Sequence, residues 1–346
     1  MRDRIQSGGL EITEQCNLKC IHCYKGDIET PRQMKYKHIS YFIEQFIKYG
    51  ANEIVITGGE PFCHPDINKI IEDINVKYSD IGFVITTNGT LLSEEVICSI
   101  KSIENLRIQI SLDGANLDSH EMQHGKNTFD QIINKLEMLS ELPRNRKVIR
   151  MAISKINYKE CLKVAAIAKK FNTEVHFTYV SKIGRADKNW ETLKLSLAQQ
   201  IFVNEIINEY KRENPHELVI APHSVQSCPF ENPNYIFGLS INPKGEVSVC
   251  TCLDSAYTIG NAYEDDFLDI INSPKIDILC QKINERKTQL KNTFCKECSA
   301  NIRCRQGCIG RSNMQNPHNY ELDDQCEFRR ALQFKNLYFL LRKRDK

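Results

Sequence analysis

The stretch Leu10-Glu11-Ile12-Thr13-Glu14-Gln15-Cys16-Asn17-Leu18-Lys19-Cys20-Ile21-His22-Cys23 joins a short β-branched run to three cysteines at i, i+4 and i+7. A loop with that spacing wraps three thiolates around one compact centre. A [4Fe–4S] cluster normally takes four cysteines. Three leave one iron free to chelate a small molecule, as catalytic metal sites keep an open position. The plainer alternatives are packed thiols or a zinc knuckle with His22 as fourth ligand. His22 stands between Cys20 and Cys23, however, and that strains tetrahedral closure.

Outward from this loop the chain alternates. β-Branched runs at Leu10–Thr13, Glu53–Thr57, Gly82–Thr86, Arg107–Ser111, Val148–Ser154 and Val175–Tyr179 are followed by segments of helical period. The helical segments include Ile39–Tyr49, Asp66–Tyr78, Ser93–Ser99, Thr128–Leu142, Tyr158–Phe171 and Ser196–Glu213. Six strand–helix units in a row predict an α/β fold with a parallel sheet. Being fewer than eight, they predict a partial (β/α)6 TIM-like barrel. Chemistry in such folds sits at the carboxyl ends of the strands. Cys16–Cys23, Gly58–Pro61, Asn88–Gly89 and Asp113–Gly114 all fall there.

The texture changes after Asn214-Pro215, where prolines recur at 215, 222, 229, 233 and 243. Tyr235–Ile241 and Glu246–Cys250, joined by Asn242-Pro243-Lys244-Gly245, read as a β-hairpin. Short helices in a cysteine-rich context follow, and Phe328–Arg342 reads as a terminal helix. The expected division is a barrel over 1–214 and a small cysteine-rich domain over 215–346.

Lys plus Arg is 46 and Asp plus Glu 44, for a net charge of +2 in 346 residues. That balance argues against binding nucleic acid or an anionic membrane through bulk charge. No run reaches the roughly 18 apolar residues of a membrane span, and Met1-Arg2-Asp3-Arg4 opens no signal peptide. The expected location is cytoplasmic, where disulfides are rare. Yet there are 15 cysteines, three at 16–23 and nine after position 227. Such clustering points to metal or iron–sulfur ligation. Cys63, Cys98, Cys161 and Cys280, in or beside helical segments, are expected to be packed thiols.

With the triad directly after strand one, the sequence resembles the radical SAM enzymes. Thr57-Gly58-Gly59-Glu60-Pro61 at the end of strand two resembles that family's glycine-rich segment. The resemblance implies that Cys16, Cys20 and Cys23 hold a [4Fe–4S] cluster whose open iron binds S-adenosylmethionine. It implies that Gly58, Gly59, Glu60 and Pro61 cradle the amino group of that cofactor. Ile110-Ser111-Leu112-Asp113-Gly114 resembles the ribose and carboxylate contact, with Ser111 the polar partner. Asp113 reads equally well as a simple Asp-Gly turn. His22 stands where relatives carry an aromatic residue against the cofactor. Gln123-His124-Gly125 stands where many carry an Arg before a Gly, and His124 receives no role. Arg185, just past strand six, reads equally as a cavity or a surface residue.

The last third resembles the seven-cysteine SPASM extension, which houses auxiliary [4Fe–4S] clusters in enzymes that mostly modify peptides and proteins. Carried over by position, Cys295, Cys298, Cys304 and Cys326 ligate one auxiliary cluster, and Cys228, Cys250 and Cys308 the other. Cys252 is the candidate fourth ligand of the latter; an open iron is the alternative. A single zinc on Cys295, Cys298, Cys304 and Cys308 would leave Cys228, Cys250 and Cys326 unexplained.

The activity implied is cleavage of S-adenosylmethionine to a 5′-deoxyadenosyl radical that takes hydrogen from a peptide or protein substrate. The expected product is a thioether or carbon–carbon cross-link in a ribosomally made precursor. A sulfatase-maturase-like oxidase and a small-molecule cofactor-pathway enzyme are the alternatives. The former is weakened because Thr251, not an acid, follows Cys250. A non-enzymatic zinc or iron–sulfur module is the remaining class. A reductant such as flavodoxin or ferredoxin is implied. Only nine residues precede strand one, so a separate protein is expected to grip the leader peptide, unless barrel and extension do so themselves.

Overall fold

The computed structural model describes residues 5–222, 238–250, 257–290, 294–299, 304, 307 and 325–333. Six strands form its centre: β1 (Ser7–Thr13), β2 (Glu53–Gly58), β3 (Gly82–Thr87), β4 (Leu106–Ser111), β5 (Lys147–Ile153) and β6 (Glu174–Tyr179). They pair in chain order and all in parallel. This is the expected α/β parallel architecture of a partial barrel. Along the strands buried apolar residues recur at every second position, as a period of two requires. Leu10, Ile12, Ile54, Ile56, Phe83, Ile85, Ile108 and Ile110 pack outward under the helices. Glu11, Thr57, Thr86, Gln109, Arg150 and His176 share the opposite, concave face.

The crossover helices α1 (Tyr36–Lys48), α2 (Ile67–Lys77), α3 (Glu94–Ser102), α5 (Phe129–Met138) and α6 (Cys161–Lys170) bury apolar stripes on the convex face. In α1 the stripe is Ile39, Phe42, Ile43 and Phe46, the spacing of one helical face. A further helix, α4 (Leu117–His124), lies between β4 and α5 and has no counterpart in the sequence-based expectation. Its buried residues are Ser119, His120, Gln123 and His124, while Leu117 and Met122 are exposed. The apolar period that reveals a helix is absent because the buried face is polar. Two short helices, α7 (Arg185–Lys188) and α8 (Trp190–Leu193), precede α9 (Leu197–Glu213), which opens on a Ser196–Gln199 capping box.

The sheet does not stop at residue 214. β7 (Val219–Ile220) adds beside β6, and β8 (Gly238–Ile241) adds in parallel beside β1. β9 (Glu246–Ser248) completes the expected hairpin with β8, and β10 (Gly260–Asn261) follows it, for ten strands in one sheet. Helices α10 (Phe267–Ile271) and α11 (Pro274–Leu290) come next. Phe267 packs between Phe46 of α1 and Tyr49 just past its end, and Phe328 against Tyr179 of β6. Both therefore share the barrel's core. Residues 326–333 are helical; the rest of the expected terminal helix lies outside the described residues.

Candidate functional site

The three N-terminal thiols sit on the loop leaving β1. Where that loop begins, the end of β2 crosses it: Gly59 N–H donates to Thr13 O at 2.7 Å and Glu60 N–H to Gln15 O at 2.8 Å. A Cβ at Gly58 would stand 2.3 Å from Thr13 O, and one at Gly59 2.4 Å from Gln15 O. Both neighbours are backbone, so only glycine lets the two chains meet. The Glu60 carboxylate is buried and turned to the neighbouring strand end. It accepts from Thr87 Oγ1 (2.7 Å), Asn88 N (2.7 Å) and Phe62 N (3.2 Å). Burial raises its pKa, and these hydrogen bonds work against that rise. Asn88 Nδ2 donates to Asn17 Oδ1 at 2.9 Å, and Asn17 Nδ2 to Thr90 Oγ1 at 2.8 Å, tying the cysteine loop to the end of β3. Pro61 opens a one-turn 3₁₀ helix, Pro61–Cys63. Cys63 is half-buried, its thiol pushed up chiefly by burial, and Cys98 is exposed. Only Cys161 and Cys280 of the four expected packed thiols are buried.

Past β4, Asp113 is a hub. Its Oδ2 accepts from His124 Nε2 at 2.6 Å and His22 Nε2 at 3.1 Å, and its Oδ1 from Ala152 N at 2.6 Å. Its carbonyl accepts from Gln123 Nε2 (2.9 Å) and Asn157 Nδ2 (2.8 Å). Burial alone would raise this carboxyl; His22 and His124 outweigh it and hold the group well below the usual carboxylate range. His124 turns its other nitrogen, Nδ1, to Cys20 Sγ at 3.4 Å. His120 stacks on His124 at 4.4 Å and takes the Asp113 N–H on Nδ1 at 3.1 Å. Burial, then the His124 charge, push His120 down to about 3, so it is a neutral acceptor. The Asp-Gly turn is thus a structural centre, and α4 supplies its partners.

Beyond β6, Arg185 closes on the loop from the other side. Nη1 donates to Cys20 O at 2.8 Å and Nε to Gly26 O at 3.1 Å. Its backbone N–H donates to Cys23 O at 2.8 Å, and Asn189 Nδ2 to Ile21 O at 3.2 Å. Gly184, at φ +63°, leaves no room for a Cβ, which would lie 2.3 Å from Tyr24 O. Arg185 is neither a free surface residue nor a cavity wall; it clamps the cysteine loop.

Burial first, then Cys16 and Cys23, push the Cys20 thiol up. A thiolate here needs a cation, and ligation removes the proton outright. A single zinc with four sulfurs at about 2.3 Å draws them to within about 3.8 Å of each other. Among the described residues, only His22, Asp113 and His124 bring three donor atoms within 4.8 Å of one another. Those atoms are already joined by hydrogen bonds. Cys16, Cys20 and Cys23 do not form such a group, so their sulfurs do not all stand within zinc-ligand reach of one another. His22 Nδ1 is buried and without a partner among the described residues, a position that favours completion by a ligand atom. The residues present fit a cluster with a small molecule against it.

In the last third, Cys250 follows β9 and is half-buried. Cys295 is buried, and Cys298, Cys304 and Cys326 are half-buried. Cys298 N–H donates to Cys295 O at 3.4 Å, and Arg329 Nε to Cys304 Sγ at 3.1 Å. Cys228, Cys252 and Cys308 lie outside the described residues. Among those described, no helix is long and apolar enough to cross a membrane.

A parallel β/α core with a three-thiol loop at its carboxyl edge resembles that of the radical SAM superfamily, and that family's model matches residues 10–168. A second model, the SPASM iron–sulfur cluster-binding domain, matches residues 233–299. The domains bind a [4Fe–4S] cluster with S-adenosylmethionine, and auxiliary clusters, respectively. The chain is 26% identical over 281 residues to AlbA of Bacillus subtilis, an antilisterial bacteriocin subtilosin biosynthesis protein, covering 78% of this chain and 60% of AlbA. It is 23% identical over 313 residues to the mycofactocin maturase MftC of Mycobacterium ulcerans, covering 86% and 81%. The match to MftC of Mycolicibacterium smegmatis spans 48% of that protein. Among solved structures, Streptococcus suis SuiB bound to precursor peptide SuiA superposes with a TM-score of 0.75 at 18% identity, over 94% of this chain and 76% of SuiB. The protein anSMEcpe with bound AdoMet and Cp18Cys peptide gives 0.73 at 16%, over 97% of both chains. These likenesses show the fold.

Proposed function

We propose that this protein is a peptide-modifying radical SAM/SPASM maturase that forms a thioether or carbon–carbon cross-link in a ribosomally made precursor. The observation that carries the reading is the open thiol triad on a barrel whose core continues into an SPASM domain. Similar proteins are named for bacteriocin biosynthesis and mycofactocin maturation. When bound and reduced, the cluster with S-adenosylmethionine supplies a 5′-deoxyadenosyl radical that takes hydrogen from an unactivated C–H bond.

The chain's own residues hold and orient. Cys16, Cys20 and Cys23 ligate the cluster. Gly58 and Gly59 keep the β2 end tight against the loop, so that Glu60 and Pro61 fix the rim facing the cofactor's amino group. Ser111 offers a hydroxyl from the end of β4, and His22 offers Nδ1 to the nucleoside. Cys295, Cys298, Cys304 and Cys326 hold one auxiliary cluster; Cys228, Cys250 and Cys308, with Cys252 as fourth, hold the other. Residues 1–214 act as the radical-generating unit and 215–346 as the electron-accepting one. A flavodoxin or ferredoxin reduces the protein in the cytoplasm, and a separate protein presents the leader peptide.

The test is the Cys16→Ala/Cys20→Ala/Cys23→Ala variant, purified anaerobically. It should keep its auxiliary iron and form no 5′-deoxyadenosine. Persistent nucleoside formation refutes the ligand assignment. Incubating the wild type with a short peptide encoded beside it should give a product lighter by two hydrogens; an unchanged peptide mass alongside nucleoside release refutes the substrate class.

A further inference from the structure

The ring of His124 is fixed in place by its neighbours. Its Nε2 donates to Asp113 Oδ2 at 2.6 Å. His120, one turn earlier on α4, stacks on it with ring centroids 4.4 Å apart and planes 8° from parallel. His120 is itself pinned, because its Nδ1 takes the Asp113 N–H at 3.1 Å. The carboxylate behind the ring is held as well: Oδ1 accepts from Ala152 N at 2.6 Å, and Oδ2 also takes His22 Nε2 at 3.1 Å. His120, His124 and Asp113 are all buried. What this assembly aims is His124 Nδ1, which lies 3.4 Å from Cys20 Sγ. Stacking alone would be served by an apolar ring, which leaves no buried nitrogens to satisfy.

The direction of that hydrogen bond follows from ligation. A sulfur bound to iron carries no proton, so in the loaded protein only Nδ1 can donate. Hydrogen bonds to cluster sulfurs are among the determinants of a cluster's potential. A donor favours the reduced state, because that state places more negative charge on the sulfurs. Asp113 answers the charge on a ring that donates from both nitrogens, but it lies on the far side of that ring from Cys20. The nearer donor therefore prevails. We propose that His124, oriented by Asp113 and His120, donates a hydrogen bond to the cluster-bearing sulfur of Cys20 and thereby raises the reduction potential of the N-terminal cluster. This rests on Cys16, Cys20 and Cys23 holding that cluster. His124 acts through Cys20, as a positioning residue, and makes the cluster accessible to a weaker electron donor. Cys16 Sγ, by contrast, takes a main-chain N–H, from Leu18 at 3.4 Å. The donor to Cys20 belongs to a side chain, so substitution can remove it.

The experiment is a redox titration of anaerobically reconstituted holoprotein, read by EPR on the signal that changes when S-adenosylmethionine is added. His124→Leu should make reduction of that cluster about tenfold less favourable, a fall of roughly 59 mV for one electron. His124→Asn, whose amide nitrogen replaces Nδ1, should recover most of the loss. The auxiliary signals should not move in either variant. With isotope-labelled histidine, pulsed EPR of the reduced wild-type cluster should show a histidine nitrogen coupling that is absent from His124→Leu. The proposal is overturned if His124→Leu titrates with wild type, or if His124→Asn shifts as far as His124→Leu, which marks a merely structural role. It is also overturned if the wild-type cluster shows no histidine coupling. Should His124→Leu load no cluster, the wild-type coupling and the Asn variant decide. If the triple cysteine variant keeps the EPR signal, the ligand assignment itself fails; if it loses the signal and His124→Leu shifts nothing, this proposal alone fails.

Discussion

Replacing Arg185 with Ala removes two guanidinium hydrogen bonds from the cysteine loop, those to Cys20 O at 2.8 Å and Gly26 O at 3.1 Å. The Arg185 side chain is 17% exposed, whereas its ion-pair partner Asp27 is 58% exposed, so that pair contributes little. Hydrogen bonds from a charged donor are worth about 1.5–3 kcal/mol each. Allowing for the partial exposure, the loss is about 3–4 kcal/mol. Each 1.4 kcal/mol is tenfold, so opening of the loop should become roughly 100- to 1000-fold more frequent. The rest of the clamp, Arg185 N–H on Cys23 O and Asn189 on Ile21 O, stays in place. The effect is therefore local. Amide exchange across residues 20–26 of the cluster-free chain should accelerate by that factor, while the strands keep their protection. Arg185→Lys should fall between, because an ammonium is one point donor where the guanidinium is a fork. Unchanged protection in Arg185→Ala, or full restoration by Lys, refutes the clamp.

Gly59→Ala drives a methyl to 2.4 Å from Gln15 O. Overpacking of that kind costs about 1–3 kcal/mol, and here it moves the loop, so iron at the N-terminal site should fall while auxiliary iron is kept, as read by metal analysis and EPR. Glu60→Gln turns one acceptor oxygen into a donor facing Thr87 Oγ1, Asn88 N or Phe62 N; a loss of about 1–3 kcal/mol should lower the urea midpoint with the slope unchanged. Lys147 is buried, donates to Leu139 O and Ser140 O, and is pushed by burial from 10.5 down to about 8. Between those values the unfolded chain binds more protons than the folded one, so stability rises with pH from about 8 to 10.5, and the penalty is fully present below. Unfolding series should show Lys147→Met without that rise relative to wild type.

Much of this was legible because it repeats. All six central strands lie within two or three residues of the runs read from β-branched content, since outward Ile, Leu and Val must alternate to reach the helices. The loop after β1 and the Gly-Gly turn after β2 were legible as spacing. What escaped was side-chain traffic between distant segments. α4 buries Ser119, His120, Gln123 and His124 and exposes Leu117 and Met122, so a search for apolar period passes over it. With α4 unseen, nothing pointed to His124 as the link between Asp113 and Cys20. β8 escaped as a barrel-side strand because its partner, β1, is more than 220 positions earlier, and no local signal encodes that pairing. Arg185 looked like any arginine, and only the fold brings Cys20 O to it.

The cysteine loop owes little of its order to a hydrophobic core: Ile21 joins a small cluster of Val180, Ala186 and Leu193, and the rest of its restraint is polar. Three strand ends share the work. β2 holds the loop's start through Gly59 and Glu60, β4 reaches Cys20 through Asp113 and His124, and β6 grips its far side through Arg185. Each is anchored in a parallel sheet whose spacing is fixed by its own ladder, so the loop inherits the rigidity of the sheet without apolar side chains of its own. Apolar anchors would have filled the space a cluster and its ligand need. Backbone carbonyls and buried carboxylates take the restraint instead. That division explains why so many charged and polar groups are buried at this edge of the barrel.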